Sequence, residues 1–342
     1  MKPFGIYTLA NDAVYDQLVA LLNSIEVNVS QDIPICVIPY NDQLEKVKRE
    51  IKSRKNVTLF ENWESLQRWD IFANEVWAVH PAAKQKNLSR NAWYRSPLLR
   101  KLSAFDGEFE KFVFYDGDSL AMKPLDQVLE KLDNYDFIFD DWEHKKSRDN
   151  AALDISIIEN TGLYKEEDIR TKLHCSSFFA SKKGIFSPSE IEPIKQLLIE
   201  NDEIQWIPKW WDDAFLFNYM TLRCDRSLFN FTLSPNGQDR TGNCANADPF
   251  VNINNVLYNK EGLKPIHRLH YMGYSASDFA RLSQGEDVNI PYKNEFLYYR
   301  FLKNLEQKPK YLNPPSRLTR TSRNLQKAIH KVKKILTLAV VN

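Results

Sequence analysis

Asp116 and Asp118, separated by Gly117, follow the apolar run Phe112, Val113, Phe114, Tyr115 and precede Ser119 and Leu120. Side chains two apart on a strand share a face, and an intervening glycine lets the backbone bend so that both carboxylates reach one hard cation. Two acids at the point where a buried strand emerges into a loop read as a divalent-metal site, and the ion would in turn hold a diphosphate. A solvated turn after a strand is the plain alternative. It is outweighed by segments elsewhere in the chain.

The elements that position this pair are legible from the first residue. Phe4 to Leu9 reads as a strand, Asn11-Asp12 as a turn or helix cap, and Tyr15 to Ile25 as a helix whose buried stripe is Val14, Leu18, Leu21, Leu22 and Ile25. A strand over 33–38, a helix over 44–51 and a strand over 57–60 repeat the pattern. This alternation predicts an α/β protein with a mostly parallel central sheet covered on both sides, in which ligands bind at the carboxyl ends of the strands. No glycine-rich phosphate loop follows the first strand, so phosphate must be held by a cation or by side chains.

The 342 residues, 43% hydrophobic and 13% aromatic, suffice for one large domain with additions and exclude a disordered or low-complexity chain. Cys36, Cys175, Cys224 and Cys244 have neither zinc nor disulfide spacing. The start lacks the apolar stretch of a signal peptide, and no run is long enough to span a membrane, which places the expectation in the cytoplasm. The net charge of +1 hides an asymmetry: 307–342 holds nine basic residues and no acid, leaving 37 basic against 45 acidic residues elsewhere. Within it Leu318, Leu325, Ile329, Val332 and Leu336 recur at helical spacing among Arg320, Arg323, Lys327, Lys331 and Lys334. Such a basic amphipathic helix suits an anionic membrane surface, or the protein's own acidic body. With positive charge confined to the tail, specific nucleic-acid binding is not expected.

The opening Tyr7-Thr8-Leu9-Ala10-Asn11-Asp12, with Tyr15 and a helix closing on Leu22-Asn23-Ser24-Ile25, resembles the start of GT-A fold nucleotide-sugar glycosyltransferases of the glycogenin and lipopolysaccharide galactosyltransferase group (family 8-like). The resemblance implies a single GT-A domain over 1–290, followed by a C-terminal helical region over 291–342 with its basic amphipathic tail. It assigns Thr8, Ala10, Asn11 and Tyr15 to the nucleotide. Trp93-Tyr94-Arg95 and Arg100-Lys101-Leu102, on a segment read as helical, match where the family sets basic side chains against donor phosphate or sugar, with Arg95 and Lys101 favoured. The stretch 111–125 matches the strand, metal motif and following turn.

Further segments fall in the family's order. His174 to Ala180 resembles the strand that carries an Asn-Ser-Gly run in the family, here replaced by serines and phenylalanines; His174 itself reads as a core histidine. Trp210-Trp211-Asp212-Asp213-Ala214, with Asn218 beyond, resembles the acidic segment that contacts sugar hydroxyls, which makes Asp213, with Asp212 beside it, the candidate base. The alternative for Asp213 is an N-cap for the apolar helix 214–222. His267 to Gly273 resembles the closing His-x-x-Gly motif, whose histidine, His270, completes a metal shell with Asp116 and Asp118 ahead of Gly273. A carboxylate and imidazole set suits Mn²⁺ better than Mg²⁺. The family's Lys-Pro-Trp is replaced by Ser275-Ala276-Ser277, which leaves Arg281 or His267 to face the diphosphate.

The resemblance thus implies a metal-dependent transfer of a sugar from a nucleotide-diphosphate donor, a UDP-sugar favoured, to an acceptor hydroxyl, with retention slightly preferred over inversion. The basic tail points to a lipid-linked or envelope glycan acceptor and a peripheral place on the inner membrane face. Two rivals remain at this level: a non-catalytic nucleotide-sugar-binding protein, and a haloacid-dehalogenase-like phosphatase with Asp116 as nucleophile.

Overall fold

In the computed structural model the described residues are 2–84, 93–209, 213–236, 239, 242–247 and 249–315, with the side chains of 84 and 93–96 outside the description. β1 (Lys2–Ala10) runs through the middle of a seven-stranded sheet. It pairs in parallel with β2 (Ile35–Pro39) on one side and with β4 (Phe109–Asp116) on the other, while β3 (Val57–Leu59) extends the β2 edge. The intervening helices are α1 (Tyr15–Asn28), α2 (Glu45–Lys52) and α3 (Trp63–Val79). Asn11 caps the turn that leads into α1, accepting from Ala13 N at 3.1 Å. Asp12 reaches across to accept from Lys46 N and Val47 N, opening α2.

Past β4 the chain returns through β5 (Ser119–Ala121), α4 (Asp126–Leu132) and β6 (Phe137–Phe139). After α5 (Ile155–Asn160) and α6 (Glu166–Lys172), β7 (Phe178–Lys182) inserts antiparallel between β4 and β6. α7 (Pro188–Ile199) and α8 (Asp213–Arg223) lead to β8 (Leu228–Asn230), parallel to β6 at the far edge. The expected mostly parallel sheet is therefore present, with one reversed strand. The strand expected over 174–180 begins only at Phe178, and the segment read as helical around Arg100 is a 3₁₀ helix, Trp93–Asp106. Pro97 lies inside that run and supplies no backbone N–H.

Alternation along β1 and β4 builds two cores. Tyr7, Leu9, Phe112 and Phe114 face the layer of α3, α7 and α8, whereas Ile6, Val113 and Tyr115 face α1, α2 and α4. A third cluster joins β5 to β11 (Arg268–His270), the C-terminal helices α9 (Ala276–Ser283) and α10 (Lys293–Arg300), and Leu257 of the hairpin β9 (Phe250–Ile253) and β10 (Val256–Asn259). α10 docks on α1 through polar links: Asn23 Nδ2 donates to Tyr299 O at 2.7 Å, and Arg300 pairs with Asp16 at 2.6 Å. Residues 316–342, which carry the amphipathic tail pattern, lie outside the described residues. Among the described residues no helix is long and apolar enough to cross a membrane, and none of the four cysteines forms a disulfide.

The sheet leaves no space above Gly5: a Cβ there would meet the Phe109 ring at 2.4 Å. Gly5→Ala should lower stability by about 1–3 kcal/mol, the usual effect of overpacking, read as a reduced urea midpoint with unchanged slope.

Candidate metal centre

β4 ends at Asp116, whose N–H is bound by Ser177 O at 2.9 Å just ahead of β7. The turn at Gly117 lies against β1. A Cβ there would come within 3.0 Å of Leu9 O, so a side chain would push the two carboxylates off the strand end. β5 follows at once and pairs antiparallel with β11, setting Ser119 opposite His270, while Tyr271 N donates to Asp118 O at 3.0 Å. In this way the acidic motif and a histidine more than 150 residues downstream become neighbours in one short ribbon. One ligand atom from each of Asp116, Asp118 and His270 lies within 4.8 Å of the others, and His270 Nε2 stands 3.4 Å from Asp118 Oδ1. Two carboxylates and an imidazole at this spacing are a donor set that fits a borderline divalent cation.

The electrostatics divide into two halves. Burial disfavours charge on His270, yet Asp118 outweighs it and raises the imidazole to about 9. Burial also works to raise Asp118, and His270 reverses it, holding that carboxyl below its ordinary range. On the other side, burial pushes Asp116 up to about 6 against the attraction of Lys101, with Asp213 and Asp118 adding to the rise. The Lys101 ammonium lies 2.8 Å from Asp116 Oδ1 and 2.8 Å from Asp213 Oδ2, and reaches Ser176 O at 3.3 Å. Burial opposes its charge, but the two carboxylates hold its pKa above the ordinary lysine value. The side chain of Lys101 is 1% exposed and that of Asp213 7%, against 23% for Asp116 and 25% for Asp118. The lysine is sealed beneath the site; the acidic pair is open to a ligand.

This placement changes what was expected of Lys101. Instead of facing a phosphate or sugar, it balances two carboxylates from below. Asp213 opens α8 and is bound to that lysine, so its carboxylate is engaged by a cation and does not stand alone beside an aromatic wall. Asp212, Trp210, Trp211 and the side chain of Arg95 lie outside the described residues. The two stand-ins for the missing family lysine are committed elsewhere: Arg281 pairs with Asp278 and with Glu286, and His267 is buried against Asp140. His174 is enclosed as expected, stacked on Phe139 and bonded to Thr221.

At the end of β1, Thr8 is fully buried beneath Gly117 with its hydroxyl unpartnered. Ala10 accepts from Tyr40 N, and Asn11 Nδ2 donates to Asn41. Tyr15 stands further off, its hydroxyl donating to Glu50 at 3.0 Å and its ring under Arg300. Gly273 takes a left-handed φ of +87° in the exposed turn after β11, a conformation that favours glycine. Sequence reasoning missed Asp140 and Asn243, which pack behind His270. The signal for Asp140 was available, since it follows the apolar run Phe137-Ile138-Phe139 much as Asp116 follows its own.

No family model matches this chain, and no curated protein does. Among solved structures it is similar to the apo form of the WbbM bifunctional glycosyltransferase, at 12% identity and a TM-score of 0.51 over 90% of this chain. The fold is that of a GT-A glycosyltransferase. The chain spans about half of that longer protein, 52%. The galactosyltransferase LgtC, in complex with donor and acceptor sugar analogs, is similar at 11% identity and a TM-score of 0.47, covering 86% of this chain and 95% of its own. Mouse xyloside xylosyltransferase 1 is similar at 8% identity and a TM-score of 0.44, with 65% and 81% covered.

Removing the sealed cation should leave the Asp116 and Asp213 carboxylates facing each other without a counter-charge. Lys101→Met is expected to destabilise by roughly 3 to 5 kcal/mol in chemical denaturation, as for other broken buried pairs. Adding Asp213→Asn should recover part of that loss, whereas purely additive effects of the two substitutions would argue against the pair.

Proposed function

We propose that the protein is a glycosyltransferase that moves a sugar from a nucleotide-diphosphate donor to an acceptor hydroxyl, and that Asp116, Asp118 and His270 hold a divalent cation, Mn²⁺ in preference to Mg²⁺, on the donor diphosphate. The observation that carries the reading is the convergence of these three ligand atoms within 4.8 Å at the carboxyl end of β4, on a glycosyltransferase fold. When bound, the cation would offset the charge that develops on the departing diphosphate. No glycine-rich phosphate loop follows β1, so the acidic motif is the natural place for that diphosphate.

The chain's own residues take the remaining parts. The end of β1 borders the same sheet end and serves the nucleotide, a UDP-sugar favoured, through Asn11, with Thr8 and Ala10 buried behind it and Tyr15 and Gly273 at the margin. Lys101 stays charged and keeps Asp116 and Asp213 in register. Because the Asp213 carboxylate is bound by that ammonium, it is poorly placed to take a proton as a free base. The reading therefore favours retention: the acceptor oxygen bonds to the anomeric carbon as the bond to diphosphate breaks, and the departing phosphate oxygen receives the proton. The glycosyltransferase fold argues against the phosphatase alternative. The lipid-linked or envelope acceptor, and a peripheral seat on an anionic membrane, rest on the composition of the basic tail.

Calorimetric binding of UDP with Mn²⁺ should be strong in the native protein and lost in Asp118→Ala and in His270→Ala; unchanged affinity in both would remove the metal triad. Release of UDP from a nucleotide sugar with Mn²⁺ separates an enzyme from a protein that only binds. The cation must also displace the proton that His270 carries below about pH 9. Mn²⁺ affinity should accordingly rise roughly tenfold per pH unit between about 6 and 9 and flatten above, with about one proton released per ion at neutral pH. Below about 6, protonation of Asp116 should steepen the slope. Titrations in two buffers of different ionisation enthalpy measure the proton count, and a count of zero would contradict the raised affinity of His270 for its proton.

A further inference from the structure

The histidine side of the centre is built on little. β11 is three residues long and β5 is three, so the ladder between them fixes few of the degrees of freedom of His270. Behind β11, beside the apolar contacts of Leu269, stands a buried acid. Asp140, at the end of β6 and fully enclosed, accepts through Oδ2 from His267 Nδ1 at 2.7 Å. Its carbonyl oxygen accepts from Asn243 Nδ2 at 2.6 Å and from Arg268 Nη1 at 3.2 Å. Asn243 in turn offers its own carbonyl to His270 N–H at 2.7 Å, and Ala245 N donates back to His270 O at 3.0 Å. One residue of β6 thus holds the positions two and three before His270, and also the segment that pairs with the histidine's own peptide.

We propose that Asp140 is a positioning residue that sets the place of His270 in the metal centre through His267, Arg268 and Asn243. The proposal rests on the metal-binding reading given above and goes beyond it, because Asp140 touches neither the ligand atoms nor the open face of the site.

The energetics favour this over a role in stability alone. Asp140 Oδ1, His267 Nε2 and Arg268 Nε are buried without a protein partner. A buried polar cluster satisfied in this incomplete way adds little to folding compared with apolar side chains of similar volume. What it provides is direction. A carboxylate and a carbonyl with donors on fixed vectors define where β11 lies relative to β6, and a guanidinium held over Phe178 while donating to Ser177 Oγ ties the same strand to β7. Outer groups of this kind commonly govern how well a ligand set is presented to its ion.

The test is Mn²⁺ affinity of the folded protein, measured by calorimetry and by the electron paramagnetic resonance signal of free Mn²⁺, with urea unfolding alongside. Asp140→Leu and Asn243→Ala should each weaken Mn²⁺ binding about tenfold to a hundredfold. Asp140→Asn, which keeps a side-chain acceptor for His267 Nδ1, should stay within a few fold of the native value. Asn243→Ala cuts the link to the Asp140 carbonyl and His267→Phe the link to its carboxylate, so the two together decide the matter if Asp140→Leu does not fold. Native Mn²⁺ affinity in both, with only the unfolding midpoint lowered, would overturn the proposal while leaving the metal centre standing, provided His270→Ala abolishes binding. A native protein that takes up no Mn²⁺ would overturn both.

Discussion

Three carboxylates, from Asp116, Asp118 and Asp213, crowd the end of one strand, and the rest of the site is arranged around keeping them together. Like charges this close raise one another's pKa and push the backbone apart unless cations are placed between them. Lys101 divides Asp116 from Asp213, and His270 stands against Asp118. With the imidazole protonated, the cluster carries one negative charge in excess. Exchange of that proton for a divalent cation makes it neutral. The lysine is sealed and keeps its charge in both states, so the imidazole is the group that changes. This division of labour fits the placement of the lysine at 1% exposure between Asp116 and Asp213, and of the histidine, at 7%, against the more exposed Asp118.

The same constraint explains the connectivity. A strand end can deliver two acids from one chain segment, but a third ligand from an independent direction needs a second segment held at fixed register. β5 begins at Ser119, directly after the motif, and its antiparallel pairing with β11 places His270 opposite that residue. The return of the chain after the main sheet is therefore part of the centre, and the third hydrophobic cluster, which joins Leu120 and Leu269 to α9 and α10, gives that return its footing.

Much of this was legible because it depends on local patterns. The alternation of strand and helix over the first 60 residues, the acid pair after a run of apolar residues, and the histidine three positions ahead of a glycine all leave marks in the residue order. Lys101 was recognised as important but given the wrong surroundings. A lysine in a basic stretch looks solvated, and only packing against Phe114 and Ser176 reveals that it is enclosed. Asp213 was ambiguous for the same reason, since a helix cap and a buried ion-pair partner have the same spelling. The reversed strand β7 had no local signature at all: direction within a sheet is set by the connections, and Phe178-Phe179-Ala180 would read alike in either sense.

A consequence for dynamics follows from how unevenly the two sides of the centre are supported. Asp116 closes an eight-residue strand that is paired on both edges, by β1 and by β7, and is covered on both faces by aromatic and aliphatic side chains. His270 ends a three-residue strand supported by a ladder of equal length, by the third apolar cluster through Leu269, and by polar bonds from Asp140 and Asn243. Local opening is cheapest where backbone pairing is short and buried apolar contact is sparse. By that measure the acids stand on the more fully paired wall of the site, and the histidine on one whose short pairing is supplemented by polar bonds and by the third apolar cluster.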